Sequence, residues 1–341
     1  MAEEEQNGVE VAIHGDVLET IFSNVPLHLL LPSCFVSKAW NAAVFSSLRR
    51  FGKPKPWLLV HTQSIRHPHA TAAFAYDPRS DIWLRINRNP PPEHVLCSAL
   101  SSSTSTLLYV LNYSVFSFSV DHLHLTWHHV DPPSVCRVDP IVALVGERIV
   151  IAGGVWGFED DPLAVEIYDI KTRTWERTES LPAKLKDSTA STLLSVAANK
   201  NTIFMMENTS GATHCFNLEL KTWFGPYDLR PDRNIYFSAI AFHGNSLIML
   251  ALLGDSEETL GVKVWELHGK SFEFSIEIGV MPEELTEKLK GEGTSFSSIN
   301  LKNPVVSDRS RVAERVVLTC SEVRLGDISK AVSSGNEILT L

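Results

Sequence analysis

An aromatic pair with a fixed spacing recurs along the chain and constrains its fold more than any other feature. A Tyr or Phe stands seven residues before a Trp in the segments Tyr76–Trp83, Tyr168–Trp175 and Phe216–Trp223. Variants of the pair with the same spacing are Val120–Trp127 and Trp265–Phe272. A short polar segment between two hydrophobic ends is typical of a β-hairpin. We therefore predict five hairpin units.

The five units follow one another with a nearly constant period. Their last aromatic residues are separated by 44, 48, 48 and 49 residues, counted from Trp83 to Trp127, Trp175, Trp223 and Phe272. A short apolar run precedes each hairpin, at residues 57–60, 107–111, 149–152, 203–206 and 247–253. A period of about 45 to 50 residues with several strands in each unit indicates a β-propeller, in which each blade buries its faces against neighbouring blades.

The length of the repeat region sets the expected number of blades. Residues 57–341 comprise 285 residues, and the period divides them into about six units. We therefore predict a mainly β fold, a β-propeller of about six blades, with the sixth blade in residues 295–341 around a strand at Arg315–Cys320. The aromatic residues of the hairpins are expected to pack between blades rather than to bind a ligand.

The third unit has a more specific signature than the others. Its apolar run ends in Gly153-Gly154, and Tyr168 and Trp175 follow. This arrangement resembles a kelch repeat, in which a Gly-Gly pair follows an inner strand and is itself followed by an aromatic residue and a Trp. The other four units lack the Gly-Gly pair, and the fifth has Phe272 in place of the Trp.

Composition excludes several classes of protein. No segment approaches eighteen consecutive apolar residues and the first residues are acidic, so we expect a soluble, non-secreted protein of the cytoplasm or nucleus. A net charge of −10 argues against nucleic acid or an anionic membrane as the main partner. The five scattered cysteines are expected to be reduced and buried.

The N-terminal region differs from the repeats. Residues 1–10 are acidic and polar and are expected to be disordered. Asp16 followed by Glu19 predicts a helix that starts with Asp16 as its N-cap. Apolar residues at helical spacing predict three short helices, at residues 17–22, 27–31 and 36–45. So small a unit cannot bury all of its apolar side chains, which suggests that another chain covers part of it.

Residues 11–50 resemble an F-box. The segment Ile13–Pro26 carries Asp16 and paired aliphatic residues, and Val36-Ser37-Lys38-Ala39-Trp40 matches the last helix of that motif. The family usually has Leu-Pro where this chain has Ile13-His14, and Pro32 is a second departure. The resemblance implies binding to a Skp-type adaptor, which holds the protein on a cullin and RING ubiquitin ligase while the C-terminal domain captures a protein substrate.

The resemblance also implies the residues that contact the adaptor. By position they are Ile13, Asp16, Leu18, Ile21, Phe22, Val25 and Pro26, with Val36 and Trp40 supporting the helices. The alternative interpretation is that some of these residues only fill the core of the helical unit, and we favour it for Trp40.

The remaining segments complete the predicted organisation. Residues 51–56 are a linker stiffened by two prolines, and the propeller begins at residue 57. In the propeller, the loop that contains Trp156, Phe158 and Asp160 is the candidate substrate-binding site, because exposed aromatic residues beside charges are typical of binding hot spots. The alternative is that Trp156 packs back into its blade. A short helix is predicted at residues 282–290.

No catalytic residue, metal site or cofactor is predicted. Two histidine groups could suggest a metal, but no Cys or acidic residue completes a ligand set, and we interpret them as surface polar groups. They are His61, His67 and His69, and His122, His124, His128 and His129.

The combination of an F-box with kelch repeats resembles the plant branch of this family and implies a substrate-recognition subunit of an SCF-type ubiquitin ligase. Some members of that branch target enzymes of phenylpropanoid and flavonoid metabolism, so such an enzyme is one expected substrate. The alternative is a kelch scaffold that binds proteins without a ligase, which the unusual Ile13-His14 opening leaves open.

Overall fold

A computed structural model gives the fold of most of the chain. The described residues are 15–51, 56–64, 71–86, 98–154, 161, 163–188, 193–255, 258–269, 272–290, 305–306, 314–321 and 338–339. The chain divides into two compact units. One comprises Met1–Leu59, Ala73–Asn89 and Cys320–Leu341, and the other comprises Val60–Ala72 and Pro90–Thr319.

The N-terminal residues form three helices, as predicted: α1 (Asp16–Ser23), α2 (Leu27–Ser33) and α3 (Lys38–Phe51). The prediction of Asp16 as the N-cap of α1 is wrong, because Gly15 occupies that position with a φ of 61° and Asp16 is the first helical residue. Its carboxylate lies in the first turn, where it interacts favourably with the helix dipole. The third helix is longer than predicted, and the Ser37 hydroxyl at its start accepts a hydrogen bond of 3.1 Å from the Trp40 amide.

The helical unit has a small core of its own. Its buried residues are Leu18, Phe22, Leu30, Ala43 and Val44. The Trp40 ring packs edge-on against the Phe22 ring, with 5.2 Å between the ring centroids. Trp40 therefore joins α3 to α1, as the core interpretation of this residue expects.

The rest of the described chain forms five sheets of short strands, which are the blades of a β-propeller. The first sheet has the strand order β19-β20-β1-β2-β3-β21, in which the strands are β1 (Trp57–Ser64), β2 (Thr71–Asp77), β3 (Ile82–Arg85), β19 (Val305–Val306), β20 (Glu314–Ser321) and β21 (Ile338–Leu339). The second consists of β4 (Leu108–Leu111), β5 (Phe116–Ser119) and β6 (His128–Val130).

The other three sheets are four-stranded antiparallel meanders. The third consists of β7 (Ile141–Val145), β8 (Arg148–Ala152), β9 (Val165–Asp169) and β10 (Thr174–Thr178). The fourth consists of β11 (Leu194–Ala198), β12 (Thr202–Glu207), β13 (Ala212–Asn217) and β14 (Thr222–Asp228). The fifth consists of β15 (Ile235–His243), β16 (Ser246–Gly254), β17 (Thr259–His268) and β18 (Phe274–Val280). A 3-10 helix (Ala183–Ser188) precedes β11, and α4 (Glu283–Lys290) follows β18 where a helix was predicted.

The number of blades differs from the prediction. The described residues form five sheets rather than about six. The predicted strand at Arg315–Cys320 exists as part of β20, but it pairs beside β1 in the first sheet instead of starting a sixth blade. The last described strand, β21, pairs with β3 at the other edge of that sheet. C-terminal strands therefore complete the first blade.

The aromatic pairs are cross-strand neighbours in three of the five predicted hairpins. In the register of the strands, Tyr76 faces Trp83, Tyr168 faces Trp175 and Phe216 faces Trp223. The ring centroids of these pairs are 5.2, 5.1 and 5.0 Å apart. Such pairs stabilise a hairpin by packing across its two strands. In the fifth unit the partner of Trp265 is instead Glu277, and Phe272 packs against Phe204 and Tyr227.

The core of the propeller lies between consecutive sheets. Side chains of β7–β9 and β11–β13 form one buried cluster around the fully buried Phe216. A second cluster joins the second and third sheets through Phe116 and Phe118, and a third joins the fourth and fifth sheets through Met249 and Trp265. The hairpin aromatics Tyr168, Trp175, Phe216 and Trp223 contribute to these clusters, as predicted. The Trp223 indole also donates a hydrogen bond of 3.3 Å to the Glu179 carbonyl.

Candidate functional site

A group of large apolar side chains is exposed on the helical unit. Val17 and Ile21 on α1 are 60% and 43% exposed, and Phe35, in the turn before α3, is 79% exposed. Leu29 on α2 and Val36 are also exposed. We call these five residues the helical surface. Exposed apolar residues concentrated in one small unit are typical of a protein–protein interface.

The sequence of α1 accounts for two residues of the helical surface, Val17 and Ile21. Leu18 and Phe22 are four residues apart and both are buried in the core. Val17 and Ile21 have the same spacing and are shifted by one residue, so they form a second apolar stripe beside the first. An exposed apolar stripe beside a buried one is typical of a helix that binds a further partner.

Charged residues fix the ends of two helices next to this surface. The guanidinium of Arg50, near the end of α3, donates hydrogen bonds of 3.3 Å to the carboxylates of Asp16 and Glu19. The hydrogen bonds to Glu19 and Asp16 raise the pKa of Arg50 above its usual value. The Asp16 side chain remains largely open to solvent. It can therefore reach a partner while it holds α1 and α3 together.

The structure separates the predicted adaptor-contact residues into three groups. Ile21, Val36 and Asp16 are exposed. Leu18 and Phe22 are buried, and Val25 and Trp40 are half-buried and pack against the same core, with Pro26 also half-buried. Ile13 lies outside the described residues.

Three members of the helical surface were missed by the sequence analysis: Val17, Leu29 and Phe35. Val17 could have been found, because it lies four residues before Ile21 on the same helix face. Leu29 and Phe35 carry no such signal, since their exposure depends on how α2 packs against α3.

The predicted substrate-binding residues Trp156, Phe158 and Asp160 lie outside the described residues. The chain on both sides of them is described and held firmly. The Arg137 guanidinium donates hydrogen bonds to the carbonyls of Gly153 and Ala164, at 2.7 and 3.0 Å. One buried side chain therefore fastens both ends of the segment that carries the predicted site.

Arg137 is neutralised by a buried carboxylate. Its guanidinium lies 2.8 Å from Glu166, and both side chains are almost completely buried. Burial alone would raise the pKa of Glu166, but hydrogen bonds from Ser134 and Arg137 lower it below the usual value of a glutamate. Burial lowers the pKa of Arg137, and Glu166 opposes that change. The pair is thus an ionised contact within the blade.

A second carboxylate fixes the same region closer to the surface. Asp161 accepts hydrogen bonds from the Arg177 guanidinium at 2.9 Å and from the Ser180 hydroxyl. Although burial would raise the pKa of Asp161, the bonds from Ser180 and Arg177 lower it. Asp161 also accepts a hydrogen bond from the Leu163 amide, which fixes the turn that leads into β9.

The histidines differ from the prediction in part. His61 and His122 are buried rather than on the surface, and His61 forms a hydrogen bond of 2.9 Å with Thr319. His67 and His69 lie outside the described residues. Across the part of the chain that the structure describes, no group of three or more His, Cys, Asp or Glu side chains could hold a metal ion.

Cys136 is exposed, whereas buried cysteines were predicted, and Cys215 is buried. Within the described residues, no helix has the length and apolar character that a membrane crossing requires.

Comparison with known proteins covers both the helical and the β region. No protein-family model matches the chain. An F-box/kelch-repeat protein of Arabidopsis thaliana is 39% identical to it over 377 aligned positions, which cover 97% of this chain and 95% of the relative.

Proposed function

Since the chain belongs to the F-box/kelch-repeat proteins, we propose that it is the substrate-recognition subunit of an SCF-type ubiquitin ligase in the cytoplasm or nucleus. Proteins of this family are non-catalytic adaptors. In this proposal, residues 11–50 are the F-box that binds a Skp-type adaptor, residues 51–56 are a linker, and residues 57–341 are the kelch propeller that binds a target protein.

The helical surface is the observation that carries this proposal. Its outer stripe, Val17 and Ile21, stays exposed although the inner stripe of the same helix is buried. Burial of apolar area stabilises a complex by about 25 cal/mol per Å², so an adaptor that covers this stripe gains affinity from it. Leu18, Phe22 and Trp40 act in this proposal by holding the stripe in place. Asp16, Val25, Pro26, Val36 and Ile13 complete the proposed contact region.

The test is to place charge on the outer stripe. Val17→Asp with Ile21→Asp should abolish binding of a purified Skp-type adaptor, because an unpaired charge buried in an interface costs on the order of 3 to 5 kcal/mol. Both residues are exposed, so the variant should remain folded by circular dichroism. Val25 is less suitable, because it packs against the core and its replacement would also unfold the helices.

The matched control makes the same change on the propeller. Leu220 is 66% exposed in the hairpin between β13 and β14, and Leu220→Asp should leave adaptor binding unchanged. Titration calorimetry of the full chain with the adaptor separates the two variants. Wild-type affinity in the Val17→Asp/Ile21→Asp chain would rule out this surface as the adaptor site.

We propose that the substrate binds on the rim of the propeller near Trp156, Phe158 and Asp160. The firm attachment of both flanking segments to Arg137 supports this assignment, because a recognition loop needs a rigid base. Replacing Trp156 and Phe158 with Ala should release the substrate without loss of the adaptor. The resemblance to plant members of the family favours an enzyme of phenylpropanoid or flavonoid metabolism as the substrate.

A further inference from the structure

The last strand of each sheet presents backbone groups to which another strand could pair, and four of the five sheets protect this edge. In the first sheet β21 covers β3. In the second, β6 has only three residues. In the third, the five-residue β10 carries Glu176 and Arg177, and in the fourth, β14 contains Pro226. Short length, charge and proline are the usual means by which proteins prevent strand addition.

The last strand of the fifth sheet has fewer of these protections, although a register shift against β17 leaves Ile278 without a paired residue. Its last strand, β18, has seven residues and no proline, and among the described strands it pairs only with β17. Four of its residues are apolar and more than half exposed: Phe274 at 66%, Ile276 at 56%, Ile278 at 52% and Val280 at 57%. It carries one charged residue, Glu277, which pairs with Lys263 at 2.8 Å, whereas the shorter β10 carries two. A long apolar edge that no described strand covers either aggregates or is used for binding.

Residues on the two faces of β18 pair with different kinds of residue on β17. Glu277 and Ser275 pair with Trp265 and Leu267, whose side chains are buried against the fourth sheet. Phe274 and Ile276 pair with His268 and Glu266, on the opposite face. Leu250 on β16 lies on that same face and is also exposed. An added strand would therefore find apolar side chains on one face of the sheet.

The charged residues near β18 indicate which side chains an added strand would carry. Immediately after β18, the first turn of α4 exposes Glu283 and Glu284. Glu266 lies on the same sheet face as Ile276, and the whole chain carries a net charge of −10. Electrostatic complementarity therefore favours a segment that carries Lys or Arg residues.

We propose that the edge of β18 is a strand-addition site for an extended segment of the protein substrate, in which apolar residues alternate with basic residues. Backbone hydrogen bonds to β18 supply affinity, and cross-strand contacts with Phe274 and Ile276, which share one sheet face, supply selectivity. This inference rests on the proposed function, because its occupant is a segment of the protein that is to be ubiquitinated.

The experiment uses the full chain and a synthetic peptide probe, acetyl-Lys-Val-Lys-Ile-Lys-Val-Lys-Val-amide with a fluorophore. Fluorescence polarisation measures its affinity, and hydrogen exchange follows the β18 amides. We expect saturable binding and slower exchange of these amides. Phe274→Lys with Ile276→Lys should weaken binding by about tenfold or more, because two cross-strand contacts are lost and like charges are opposed. The matched control is Phe224→Lys, which changes an exposed apolar residue on the protected strand β14 and should have no effect.

Three results would overturn the inference. The first is failure of the peptide to bind, and the second is equal binding to the wild type and the β18 variant. The third is slow exchange of the β18 amides without peptide, since the edge would then be covered by the chain itself or by a second copy. Adaptor binding, measured on the same samples, keeps this test separate from the proposed function. A chain that binds the adaptor but not the peptide contradicts only the strand-addition site.

Discussion

At the scale of single residues, the buried Arg137–Glu166 pair is an ionised contact that holds the third blade together. Its distance is 2.8 Å, and Ser134 donates two further hydrogen bonds to Glu166. We predict that Glu166→Gln lowers the free energy of unfolding by about 3 to 5 kcal/mol, because it leaves the Arg137 charge buried without a partner. Urea unfolding followed by tryptophan fluorescence measures the change.

The control for this substitution is the exposed ion pair between Lys171 and Glu147. Glu147→Gln should have little effect on the free energy of unfolding, because solvent screens an exposed pair. If the two variants were equally stable, the buried pair would not hold the blade together.

Lowering the pH also tests how much the Arg137–Glu166 pair contributes to the free energy of unfolding. The pKa of Glu166 is lower in the folded chain than in the unfolded chain, so its contribution to stability is complete above the unfolded pKa of about 4.3 and is lost as the pH falls through the folded value. The Glu166→Gln chain lacks this contribution. Its free energy of unfolding should therefore fall less steeply below about pH 4 than that of the wild type.

At the scale of elements, the outer hairpins of the third and fourth sheets each depend on one polar side chain at the start of the turn. Asn217 accepts hydrogen bonds from the amides of Glu219 and Leu220, and Asp169 accepts the same two bonds in the preceding repeat, from Lys171 and Thr172. We predict that Asn217→Ala costs about 1 kcal/mol of stability, since both amides lose their acceptor.

The substitution Asn217→Asp is the matched comparison. An aspartate at this position should keep both hydrogen bonds, as Asp169 does, and the variant should unfold at nearly the wild-type urea concentration. Equal losses for the Ala and Asp variants would show that the turn does not depend on the side-chain oxygen.

The hairpins could be predicted from sequence because their determinants are local. Tyr168 and Trp175 face each other across a short turn, so their spacing reports the register directly. Leu18 and Phe22 show the limit of such reasoning, because their burial in the core of the helical unit was not predicted, and their part in adaptor binding stays a prediction. Two apolar stripes on α1 differ by a single position, and only the packing of α2 and α3 decides which one becomes the core.

At the scale of the whole molecule, the number of blades was the least predictable feature. The period of the repeats gives the spacing of hairpins, but it does not say where the C-terminal strands pair. In the structure β20 lies beside β1, although more than two hundred residues separate them in sequence. Such a contact leaves no periodic signal. The division into helices and a propeller was predictable, because the hydrophobic pattern changes from helical to strand spacing near residue 57.

We propose that one chain joins an adaptor, through its helices, to a substrate, through its propeller. Co-purification from plant cells with the proteasome inhibited tests it most directly, with mass spectrometry as the readout. Wild type, Val17→Asp/Ile21→Asp and Trp156→Ala/Phe158→Ala chains are compared. We predict that the wild type retains a Skp-type adaptor, a cullin and a third protein. The helical variant should lose the first two and keep the third, and the rim variant should do the reverse. A wild-type chain that retains neither adaptor nor cullin would contradict the ligase function and favour a scaffold that acts without a ligase.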